Sequence, residues 1–150
     1  MRISTKGRYG LRILLDLALH VESRPRMLRD IAESQGISEK YLSRLIVDLR
    51  QANLVSSVRG AKGGYSLARN PAEISILEVV EVMEGSLAVV DCVDCDEPQP
   101  CMRAACCATR EMWNGMNEKI RAILKEVTLQ SILDRQREMD ADAQCWNYCI

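Results

Sequence analysis

The chain has 150 residues, 47% apolar and 27% charged, which suits one compact domain with an appended element and is ordinary for a soluble globular protein. Aromatics make up only 4% and Phe is absent, so the core must rest on Leu, Ile, Val, Met and Ala, a set that fits helices with apolar stripes better than a sheet sandwich. The net charge of −1 conceals a division: residues 1–70 hold 13 Lys/Arg against 6 Asp/Glu, and residues 71–150 hold 7 against 15.

A basic front half is the footprint of a polyanion partner, because Lys and Arg displace the counterions condensed on phosphates. No apolar run reaches the ~20 residues that a bilayer span needs, and the start of the chain lacks a signal-peptide core, so a cytoplasmic protein without a membrane partner is expected. Seven cysteines are then expected as reduced thiols, available for metal or redox chemistry rather than a disulfide framework.

The apolar spacing of Leu11, Leu14, Leu15, Ala18 and Leu19 predicts a helix from about Thr5 to His20. After a break at Ser23-Arg-Pro25, Leu28, Ile31 and Ala32 line a short helix ending near Gly36. Ser38 can cap the next helix, whose buried stripe is Tyr41, Leu42, Leu45, Ile46 and Leu49. Small Ala32 allows close packing and Gly36 permits the positive backbone angle of the turn, so the segment reads as a helix-turn-helix; a purely structural helical hairpin is the plainer alternative. The second helix would enter the major groove of double-stranded DNA with Ser38, Glu39, Lys40, Ser43 and Arg44 facing phosphates and base edges. Tyr41, in the same first turn, joins that candidate contact set.

Val55–Arg59 and Gly64–Leu67 are short strand-like runs flanking Gly60-Ala-Lys-Gly63, a hairpin with a basic tip that completes a winged helix. Arg59 and Lys62 at that tip could reach the minor groove or its phosphates. The glycine-rich tip lacks the Gly-Lys-Ser/Thr ending of a nucleotide-binding loop. These elements make residues 1–70 the DNA-binding unit and residues 71–150 a connecting, sensing and dimerising unit.

A connecting helix is expected over Ile74–Met83, with Ile76, Val79, Val80 and Met83 on one face and Gly85 at its end. Cys95, Cys101 and Cys107 follow at equal spacing in an acidic, proline-containing loop from about Asp91 to Cys107 that cannot bury itself. Three thiolates on one loop can converge on a soft metal centre. From Ala108 to Thr128, Trp113, Met116, Ile120, Ile123, Leu124 and Val127 recur at steps of three and four, like a short coiled-coil seam. A twofold partner would bury that seam, and packing back onto its own domain is the alternative. A further short helix starts at Thr128–Leu133, and a polar tail runs on to Cys145-Trp-Asn-Tyr-Cys-Ile150.

Met1-Arg-Ile-Ser-Thr-Lys-Gly-Arg-Tyr-Gly, Gly36-Ile-Ser with Tyr41-Leu, Leu54-Val-Ser-Ser-Val-Arg-Gly with Gly63-Gly-Tyr, and the three-cysteine loop followed by Trp113 together resemble the IscR/NsrR-type regulators of the Rrf-two superfamily. The match covers about residues 1–135. The resemblance implies a homodimeric winged-helix regulator, acting as a repressor, whose loop cysteines hold an iron–sulfur cluster, a two-iron cluster ahead of a four-iron one. It also implies that Arg59 and the start of the recognition helix contact DNA. The signal sensed would be iron–sulfur status, redox state or nitric oxide.

Two departures bear on the ligand set. Where the cluster regulators carry a histidine three residues after the last cysteine, this chain has Arg110, which stays protonated and cannot ligate iron. Where the nitric-oxide sensors offer an acidic residue near the N-terminus, this chain has Arg8, with Asp16 farther along. Cys92 and Cys106 are the local substitutes, and Cys92 is favoured because Cys106 and Cys107 are adjacent. Ser43 stands where the cluster regulators have a glutamate linked to site choice. A structural zinc on the Cys92-Val-Asp-Cys95 knuckle, or a thiol redox switch without any metal, is the alternative function. Cys145 and Cys149 read as spare thiols. The lone His20, beside an apolar stripe and with no nucleophile or carboxylate pair at matching spacing, gives no ground for an enzyme.

Overall fold

The computed structural model describes residues 3–21, 25–60, 63–94 and 101–147. Among the described residues, six α-helices and one two-stranded antiparallel sheet follow one another as α1 (Thr5–Leu19), α2 (Leu28–Gln35), α3 (Glu39–Gln51), β1 (Val55–Val58), β2 (Gly64–Leu67), α4 (Ile76–Glu84), α5 (Ala108–Glu126) and α6 (Leu129–Asn147). The fold is mainly α with a winged helix-turn-helix, as the sequence leads one to expect.

Local chemistry sets the helix ends. Ser4 Oγ accepts from the Lys6 amide at 3.0 Å, and Ser38 Oγ accepts from the Tyr41 amide at 3.2 Å, so both helices start on a hydroxyl cap. Helix α2 stops at Gly36, whose φ of 64° lies in the left-handed region. In the wing, Val55 pairs with Leu67 and Val58 with Gly64. A third strand position is supplied by Arg26, whose amide donates to the Tyr65 carbonyl at 2.9 Å and whose carbonyl accepts from the Tyr65 amide at 2.8 Å. The wing is thereby stitched to the segment between α1 and α2. That stitching needs Gly64, because a Cβ there would lie 2.5 Å from the Arg26 carbonyl oxygen.

One apolar core joins Ile13, Leu14 and Leu17 of α1, Ile31 of α2, Leu42, Leu45, Ile46 and Leu49 of α3, and Leu54 to Ile74, Val79 and Met83 around α4 and to Leu129 and Leu133 of α6. Asp16, 5% exposed, is a buried charge beside this core. Its carboxylate accepts from Arg26 Nε at 3.0 Å, from Gln35 Nε2 at 3.1 Å and from the Ser34 hydroxyl, so α1, α2 and the wing-stitching residue meet at one satisfied charge. His20 has a structural place too, its Nδ1 being 2.8 Å from the Asp16 carbonyl.

Three boundaries differ from the sequence reading. Helix α4 begins at Ile76 rather than Ile74, since Pro71–Glu73 form a 3-10 turn and Ser75 caps α4. Helix α5 ends at Glu126 because Thr128 is held in a bridge to Ser75, with the Ile76 amide donating to the Val127 carbonyl and the Leu129 amide to the Ile74 carbonyl, both at 2.9 Å. Helix α6 is 19 residues long, so the expected short helix continues through most of the polar tail. Among the described side chains, its apolar anchors are Leu129, Ile132 and Leu133 in the first turns. On its polar face, hydrogen bonds at i, i+4 from Gln130 to Asp134 and from Gln136 to Asp140 carry the helix on past those anchors.

Helices α1 and α4 approach through glycine. A Cβ at Gly10 would lie 2.5 Å from Met83 Cγ, and one at Gly7 would fall on the Glu84 carboxylate. Ala at an open helical site is ordinarily worth about 1 kcal/mol over Gly, but overpacking a filled core costs about 1–3 kcal/mol. Gly10→Ala is therefore expected to lower the urea midpoint of unfolding, and a raised midpoint would contradict the close α1–α4 contact.

Candidate DNA-reading surface and cysteine loop

The recognition helix α3 buries Leu42, Leu45, Ile46 and Leu49 against the core and turns Lys40 and Arg44 to solvent. Ser38 and Glu39 are exposed at its N-terminus, where orphan amides and the helix dipole favour a phosphate. Two of the expected contact residues have internal employment. Ser43 Oγ donates to the Lys40 carbonyl at 3.0 Å, and the half-buried Tyr41 ring stacks edge-on against Tyr9 at 6.1 Å between centroids. Arg59 is exposed directly after β1, while Lys62 lies outside the described residues. Sequence reasoning passed over Val47, 47% exposed and one turn beyond Ser43 and Arg44. An apolar side chain among polar ones on that face suits a thymine methyl; its lack of a place in the buried stripe was the signal.

Cys92, Cys101, Cys106 and Cys107 carry free thiols. Cys101 and Cys106 are exposed, and Cys107 stands at the N-cap of α5. Cys107 Sγ is 3.1 Å from the Thr109 hydroxyl. That hydrogen bond, followed by the backbone amide of Arg110, holds the Cys107 thiol below its ordinary pKa and favours the thiolate that binds metals. Cys106, Cys107, Arg110 and Asn114 line one concavity beside the 3-10 turn Ala104–Cys106.

The start of the loop is less exposed than its composition indicates. Asp91–Val93 form a 3-10 turn docked on α5, with Val93 4% exposed. Arg110 Nε donates to the Cys92 carbonyl at 3.0 Å, and Asn117 Nδ2 reaches the Val93 carbonyl at 3.4 Å. Among the described residues no three His, Cys, Asp or Glu side chains are gathered closely enough to hold a metal ion; Cys95 and Cys149 lie outside those residues, and Cys145 falls in the last turns of α6. The donor chemistry nevertheless fits a thiophilic centre: free thiols, one of them biased to thiolate, on one loop. Asp16, the acidic residue noted near the N-terminus, is buried and engaged by Arg26, Ser34 and Gln35 in the packing of α1 against α2.

Helix α5 uses one face and leaves another. Arg121 pairs with Glu81 of α4 and Leu124 packs beside Ile76, Leu77, Val80 and Leu87, so the helix does rest on its own chain. Met112, Met116, Ile123 and Val127, between 38% and 62% exposed, form the uncovered stripe.

The family model described as an iron-dependent transcriptional regulator, Rrf2, matches residues 3–135. The chain belongs to the Rrf2 family. The HTH-type transcriptional regulator IscR of Xenorhabdus nematophila is 39% identical over 145 residues, covering 96% of this chain and 87% of that protein. Protein rrf2 of Nitratidesulfovibrio vulgaris is 40% identical over 139 residues, 92% of this chain and 89% of that one. Among solved structures, T. potens IscR superposes with a TM-score of 0.74 at 39% identity, covering 93% of this chain and 90% of its own. CymR (YrzC), the global cysteine regulator of B. subtilis, also gives 0.74, at 36% identity, with 90% and 98% covered. This Rrf2 protein is thus a helix-turn-helix transcriptional regulator of the IscR-like kind and not an enzyme. Among the described residues no helix is long and apolar enough to cross a membrane.

Proposed function

We propose that this Rrf2 protein is a homodimeric cytoplasmic repressor that reports iron–sulfur status, redox state or nitric oxide through a cluster, of two irons ahead of four, held by Cys95, Cys101, Cys107 and Cys92. The observation that carries the reading is the set of free thiols on one loop, Cys92, Cys101 and Cys107, with Cys107 at the N-cap of α5. IscR is a relative over nearly the whole chain. A bound cluster would supply a redox-active centre whose potential follows its net charge and its hydrogen bonds.

The protein's own residues carry the signal outward. The Asp91–Val93 turn rests on α5, α5 is tied to α4 by Arg121–Glu81, and α4 is tied to the end of the wing strand by Glu78–Arg69. Cluster binding at this loop would therefore load α5, and through α4 alter how the two recognition helices of a dimer meet an operator. Ser38, Glu39, Lys40, Tyr41, Ser43 and Arg44 at the start of α3 would lie in the major groove, with Arg59 and Lys62 of the wing alongside.

An ultraviolet–visible spectrum of protein purified without oxygen, with iron, sulfide and zinc quantified on the same sample, tests the reading. Broad visible absorption with matched iron and sulfide is expected; a colourless protein with stoichiometric zinc would make the loop a structural clip. Arg59→Ala should weaken operator binding by about 1–3 kcal/mol at fixed salt in fluorescence anisotropy. Unchanged affinity would remove the wing from the interface. Ile123→Glu places a charge in the uncovered α5 stripe and should convert dimer to monomer in sedimentation velocity, whereas an unaffected dimer would place the interface elsewhere.

A further inference from the structure

Two neighbouring carbonyls, those of Cys92 and Val93, are each held by a side chain of α5, Arg110 at 3.0 Å and Asn117 at 3.4 Å. The two side chains are seven residues apart, so they project from the same face two turns apart. Asn117 is 2% exposed and its Oδ1 has no protein partner, a cost tolerated in the interior when the group has a positioning duty. Val93 is buried between them. The segment carrying Cys92 is consequently fixed against the helix whose N-cap is Cys107, whatever the rest of the loop does.

Arg110 also stands where the resemblance places a neutral histidine ligand. Exchanging a neutral imidazole for a fourth thiolate adds one negative charge to a cluster, and a guanidinium beside it returns one positive charge. A planar guanidinium can meet both requirements at once, and Arg110, with Nε fixed on the Cys92 carbonyl, lines the same concavity as Cys106 and Cys107.

We infer that Arg110 is a positioning residue for the cluster: it pins the Cys92 segment to α5, with Asn117 as the second pin, and supplies the counter-charge for an all-thiolate ligand set that includes Cys92. The inference rests on the cluster reading above and deepens it, since the residue that displaced a ligand takes over the placing and neutralising of its substitute.

The test uses the full-length protein, reconstituted anaerobically with iron and sulfide, as wild type, Arg110→Gln and Arg110→Lys. Removing a hydrogen-bonding neighbour of a metal site typically weakens it about 10–100-fold, so Arg110→Gln should lose its visible absorption to a chelator at least about tenfold faster. Its reduction potential, measured by spectroelectrochemistry, should move to a more negative value because a cation has been removed. Arg110→Lys keeps the charge but not the fork, so its potential should stay near wild type while cluster loss remains fast. Circular dichroism of the apo proteins checks folding, and if Arg110→Gln does not fold, the loss rate of Arg110→Lys alone carries the positioning claim. A loaded wild type with loss rate and potential unchanged in Arg110→Gln would overturn the role of Arg110 and leave the cluster reading standing. A wild type that takes up no iron and sulfide would overturn both.

Discussion

Helix α1 lies against α4 with two glycines at the contact, and the relation between the two halves of the molecule depends on that closeness. Gly10 leaves room for Met83 and Gly7 for Glu84. At this separation the Glu84 carboxylate can accept from the Gly7 amide at 2.9 Å, the Ser4 amide at 3.0 Å and the Ser4 hydroxyl at 2.8 Å. A side chain 77 residues distant thus satisfies amides that α1 leaves open at its N-terminus, where the dipole favours a negative charge. A methyl group at Gly7 would displace the Glu84 carboxylate and with it that cap, and one at Gly10 would force the Met83 side chain to move.

Helix α4 extends the constraint. Glu78, Glu81 and Glu84 sit at steps of three and face three different partners, Arg69 at the end of the wing, Arg121 on α5 and the start of α1. Half-exposed ion pairs of this kind are worth about 0–1 kcal/mol each, so they do not hold α4 in place. Burial of Val79 and Met83 in the main core, and of Ile76, Leu77 and Val80 in a second cluster, does that. The ion pairs join the helix so placed to α5 on one side and to the end of the wing on the other.

Much of the DNA-binding half was legible because its signals are local. Ser38 before an apolar stripe, Gly36 in a turn and a glycine-flanked hairpin each specify backbone geometry within a few residues, and the helix-turn-helix and wing appear where those residues place them. Longer-range features were opaque. The length of α6 rests on polar i, i+4 pairs and on backbone bonds between residues 74–76 and 127–129, neither of which leaves an apolar period. The seam on α5 was visible, but its division into a face on α4 and an uncovered stripe depends on where α4 lies. Arg110 could be recognised as no ligand; its hold on Cys92 could not, because spacing does not reveal an Nε-to-carbonyl bond across 18 residues.

The central claim is that the state of the cysteine loop governs DNA binding by the other half of the chain. Its most direct test is the affinity of cluster-loaded and apo protein for one operator, selected from a random duplex pool and measured at a single salt concentration, since phosphate contacts make affinity strongly salt-dependent. A difference of about tenfold or more, corresponding to about 1.4 kcal/mol of coupling between the loop and the recognition helices, is the predicted result. Equal affinities would contradict it.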